Sequence, residues 1–113
     1  MQLPDVADKP FLYEAIMLSI GGARIGVVVR NLKQAFHLMD DLKRVSVNQS
    51  SPDLVFQPRN AVVVNTASKG FVKFIFSESA HAFKGYVFSD IFYYDIPIGM
   101  SRKVYQELES RIR

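Results

Sequence analysis

Two histidines, His37 and His81, and the carboxylates near them are the first residues of this chain whose types could do chemistry. Glu78 stands three residues before His81 with serines beside it, a set that acid–base or Ser-His chemistry could use. Such a set is recognised by mutual geometry on a rigid scaffold, which adjacency in sequence does not supply, and a capped helical turn accounts for the segment better. His37 and Asp41 are four apart and share a helical face beside Asp40, yet that face offers two ligands where a metal site needs more. They read as solvated surface. Pro52–Asp53 and Asp41–Leu42–Lys43 echo the pieces of a metal-dependent nuclease core, but in reverse order and with the second piece on a helix, so a nuclease is rejected.

A basic set remains. Lys69 and Lys73 are interleaved with Phe71 and Phe74, and Arg102, Lys103, Arg111 and Arg113 decorate the C-terminal segment. Aromatic rings could stack bases and cations could neutralise phosphates. Strand alternation turns Lys73 and Phe74 to opposite faces, and core burial is the better account of the aromatics. Lys69, Lys73, Lys84, Arg102 and Lys103 are the expected contacts with a partner or nucleic acid.

Composition narrows the classes further. The chain has 113 residues, 49% of them hydrophobic, which is enough for one packed core and too short for two domains. It has no cysteine, so thiolate nucleophiles, disulfides and Cys-type zinc sites drop out. A net charge of +3 allows weak attraction to an acidic surface, but the 14 Lys and Arg are scattered. Apolar runs such as Ile91–Tyr94 fall far short of the roughly 20 residues of a bilayer span, and residues 1–10 carry no signal pattern, so the expectation is a cytoplasmic protein that meets no membrane.

The elements that must position these residues follow from periodicity. Helices are expected over about 10–20, 31–45, 79–84 and 101–113, and strands over 24–30, 54–57, 61–65, 71–76 and 86–95. In the first helix Leu12, Ala15, Ile16 and Ser19 keep one face buried, and Gly21–Gly22 end it. RIGVVVR, residues 24–30, is a continuous β-branched run of the kind covered on both sides. Asn31 is the expected N-cap of the second helix, with Leu32, Ala35, Phe36, Met39 and Leu42 or Lys43 as its buried stripe. Thr66–Gly70 joins two strands as a hairpin, and Met100, Val104, Leu108 and Ile112 form the inner side of the last helix. The order predicts one α/β domain over 1–113, a three-layer core around a mostly parallel sheet with an inserted β-hairpin.

That order, with RIGVVVR, NLKQAFHLMDDLKRV, a hairpin, AFKG and VFSDIFYYD, resembles the ATPase core of the phage large terminase subunit and, more distantly, the helicase-like RecA fold, from about Lys9 to Pro97. In that family a phosphate loop feeds a helix, a strand runs into a helix bearing a Gln, and a later strand ends in Asp-Glu. The resemblance puts Lys9 at the loop lysine and Asp95 at the magnesium-holding carboxylate, both as vestigial cofactor-binding positions. A phosphate loop needs glycines so that backbone N–H groups converge on phosphate. PDVADKP, residues 4–10, has none, and Pro10 replaces the hydroxyl while removing a donor. Ile96 stands where the catalytic Glu would polarise water. The expectation is therefore a non-catalytic, phage- or prophage-encoded relative of this DNA-packaging core that needs no cofactor and acts through a protein or DNA partner. The alternative is a small α/β interaction or regulatory module unrelated to ATPases, a homo-oligomer among its forms.

Overall fold

The computed structural model describes residues 11–48, 54–75, 86–95 and 102–112. Lys9, Glu78, His81, Lys84, Met100 and the expected helix over 79–84 lie outside them.

Helix α1 (Phe11–Ile20) buries Phe11, Leu12, Ala15, Ile16 and Ser19, the face that its spacing predicts. It closes with Gly22 at φ 99°, where the Ala23 N–H donates to the Leu18 carbonyl and the Gly22 N–H to that of Ser19. These paired bonds satisfy carbonyls that the helix end would otherwise leave bare. Strand β1 (Arg24–Val28) follows, with Ile25, Val27 and Val28 all buried. It leads through Val29–Asn31 into α2 (Leu32–Asn48). Asn31 is the N-cap, its Oδ1 accepting the Gln34 N–H at 2.9 Å.

The chain then makes β2 (Leu54–Gln57), a 3₁₀ turn at Pro58–Asn60, β3 (Val62–Asn65), β4 (Phe71–Ile75), β5 (Asp90–Tyr93) and α3 (Arg102–Glu109). The five strands lie in one sheet of order β2-β3-β4-β1-β5. β1 is parallel to both β4 and β5, whereas β2, β3 and β4 run antiparallel in succession. The parallel half is thus β4-β1-β5, and the hairpin with β2 supplies an antiparallel half. The sheet is mixed: β4 joins the halves, parallel to β1 on one side and antiparallel to β3 on the other.

Strand alternation sorts the core into two clusters. On one face Ile25, Val27, Val63, Val72 and Phe74 pack with α1 and with Ala35, Leu38, Met39 and Leu42 of α2. On the other, Val28, Ile75, Phe88, Ile91 and Tyr93 pack with Leu108 and Ile112 at the C-terminal end. Two apolar faces covered by different helices make the three-layer α/β core. No helix among the described residues is long and apolar enough to cross a membrane.

Two differences from the periodicity matter. The buried stripe of α2 is Ala35, Leu38, Met39 and Leu42, whereas Leu32 and Phe36 are 42% and 40% exposed. The covered arc of the helix is shifted toward Leu38 and away from Leu32 and Phe36, while Ala35, Met39 and Leu42 belong to both. The last strand is also shorter than 86–95: its regular pairing begins at Asp90, and Phe88 instead bridges to Ile112.

Candidate functional site

The carboxyl ends of β4, β1 and β5 lie side by side, and the chain leaves β1 there through Val29–Asn31. In open α/β sheets this edge is where ligands sit, since the loops splay apart outside the strand ends. The Val28 carbonyl, at the end of β1, accepts the Tyr94 and Asp95 N–H groups at 3.0 and 3.1 Å. The Val29 N–H donates to the Ile75 carbonyl at 2.8 Å. These bonds hold Asp95 beside the entry to α2.

Its carboxylate meets two groups from that entry. Arg30 Nη2 lies 2.8 Å from Asp95 Oδ2, and Gln34 Nε2 donates to the same oxygen at 3.3 Å. Gln34 also accepts the Arg30 N–H through Oε1, so one amide orients both ends of the pair. The Arg30 side chain is 62% exposed and that of Asp95 24%. With five N–H donors and most of its surface in water, the guanidinium can also receive an anionic group from outside. Among the described residues no group of three or more His, Asp or Glu could hold a metal ion.

The expected contact residues do not gather at this edge. Lys69 occupies the β3–β4 turn at φ 68°, exposed, beside the amino end of β4 and therefore at the opposite edge of the sheet. Lys73, expected as a partner or nucleic-acid contact, is instead buried at 9% exposure on the face that α3 covers. Its Nζ donates to the Asn60 carbonyl and stands 5.5 Å from the centre of the Tyr86 ring. Burial disfavours the ammonium, and the Lys73 pKa is lowered from its ordinary 10.5 by desolvation. Arg102 and Lys103 fall in the first turn of α3. Phe74 is fully buried, and Phe71 packs edge-on to Tyr86 and Phe88, so the hairpin aromatics serve the core. Tyr93 and Tyr94 face opposite ways: the Tyr93 hydroxyl donates to Glu109 at 2.7 Å, and the Tyr94 ring lies 5.6 Å from Phe11.

Arg30 and Gln34 are the members of this edge that the sequence reading did not single out. A signal was available, because a parallel pairing of RIGVVVR with the Asp95 strand brings their two ends together. No family model, curated protein or solved structure was found to match this chain.

Proposed function

We propose that the chain is a non-catalytic binding protein, a degenerate relative of terminase-like or helicase-like ATPase cores, that acts through a protein or DNA partner. One observation supports the reading above the others: β1 and β5 are adjacent and parallel, with Asp95 at their carboxyl edge. That carboxylate is taken up by Arg30 and Gln34, and Ile96 follows it where a hydrolase would place its water-polarising Glu. An anionic or hydrogen-bonding group of the partner would engage Arg30 at this edge.

The test is phosphate release from ATP with magnesium, measured for the chain and for Asp95→Ala. Equal background release in both is expected; release that the substitution abolishes would sink the non-catalytic reading. Fluorescence anisotropy of labelled duplex DNA in a salt series then separates the partner classes. Binding that falls steeply with salt assigns DNA, and its absence assigns a protein.

A second reading, an α/β interaction module unrelated to ATPases that forms a homo-oligomer, is favoured by a different feature. The outward side of α2 leaves Leu32 and Phe36 in solvent, and Phe36 shares a groove with Phe56 of the edge strand β2.

A further inference from the structure

Leu32, Phe36, Met39 and Lys43 lie at spacings of four, three and four along α2, a single line down one side of the helix. Beside the lower part of that line is β2, whose Phe56 packs toward the same sheet face. Between them is a groove of about 320 Å³ lined by Phe36, Met39, Asp40, Lys43 and Phe56, with the Lys43 ammonium 5.5 Å from the centre of the Phe56 ring.

The strand that forms its wall ends the sheet. In the order β2-β3-β4-β1-β5, β2 has β3 on one side and no strand among the described residues on the other. An edge strand presents a row of backbone donors and acceptors, and proteins commonly guard such edges with lysine, proline or inward-pointing charge. Leu54–Gln57 holds no charge and no proline, and Val55 is 42% exposed. An edge strand without charge or proline of its own, flanked by a groove, is an arrangement used for strand addition, in which main-chain bonds supply affinity and the groove takes side chains.

The charges of the groove select the occupant. It carries one acid, Asp40, and one base, Lys43, a turn apart on an exposed helix. A two-fold axis perpendicular to the sheet would pair β2 antiparallel with its twin, keep both α2 helices on one face and run them antiparallel. Asp40 of each copy then approaches Lys43 of the other, and the two Phe56 rings meet across the axis. Such a surface is complementary to itself, the requirement for a closed two-fold interface. We infer that β2 and the adjoining α2 groove form a dimer interface with a second copy of this chain. The inference is independent of the carboxyl edge, so ATP turnover and association state report on the two readings separately.

Sedimentation equilibrium over a concentration series tests it. The chain is expected to show a monomer–dimer equilibrium that D40K and K43D each shift toward monomer, that the D40K/K43D double swap restores, and that V55K abolishes. All four variants are compared by circular dichroism, and Val55 is exposed enough to accept lysine without unfolding the sheet. A monomer at every concentration overturns the inference and leaves the groove to an extended segment of another protein. A dimer indifferent to all three single substitutions overturns it too, as does loss in both charge variants without recovery in the double swap.

Discussion

Lys73 combines three features that rarely coexist on one side chain: burial, a carbonyl as its hydrogen-bond acceptor and an aromatic ring within 5.5 Å. Its folded-state pKa lies below the 10.5 of an exposed lysine because desolvation penalises the ammonium. Between the folded and the unfolded values the unfolded chain holds more protons, so stability rises with pH across that interval. The contribution is fully present above 10.5 and is lost as pH falls through the folded value. Urea unfolding from neutral pH toward 10.5 should therefore show this rise in the parent chain and a smaller one in Lys73→Met. An equal slope in both would remove the assignment to Lys73. Strand alternation had already turned Lys73 away from Phe74, but its burial comes from what packs over that face.

At the scale of elements, the hairpin tip and the end of α1 are built against each other. Asn65, itself buried, accepts the Ala67 and Ser68 N–H groups at 3.1 and 2.9 Å through its side chain, and the Ser68 hydroxyl donates to the Ser19 carbonyl at 2.8 Å. Gly70 sits so close that a Cβ there would lie 2.0 Å from the Ser19 carbonyl oxygen. Neither backbone can yield without breaking this junction, so Gly70→Ala should cost about 3 kcal/mol in chemical denaturation. A loss below about 0.5 kcal/mol would show that the junction gives way easily. The turn residues Ser68–Lys69–Gly70 were readable as a turn, but the reason for glycine was not, since Ser19 is far away in the chain. The phase of α2 was missed for a related reason. Leu32 and Phe36 satisfy helical spacing as well as Leu38 does, and only the position of the sheet decides which set is covered.

For the molecule as a whole, β1 is the structural centre: it has a parallel strand on each side, α1 and α2 over one face, and Leu108 and Ile112 over the other. Opening it requires separating both clusters, whereas among the described residues β2 pairs with β3 alone. Hydrogen exchange should accordingly be slowest at Val27 and Val28 and markedly faster in β2, read by amide-resolved mass spectrometry or NMR. Comparable protection in both strands would contradict that hierarchy, or, at concentrations where self-association is measured, would mark β2 as covered. The carboxyl edge belongs to this scale as well, because Arg30 and Asp95 meet only when β1 and β5 become neighbours. By itself the sequence determined the α/β class, the buried character of Ile25–Val29 within RIGVVVR, the Asn31 cap, the Gly21–Gly22 stop and the opposed faces of Lys73 and Phe74. Each of these rests on local backbone preference or on a period of 2 or 3.6 residues. Tertiary structure alone decided the strand order, the phase of α2, the burial of Lys73 and the joining of Arg30, Gln34 and Asp95. These depend on which distant segments pack together, and many pairings satisfy the same local pattern until the whole core selects one.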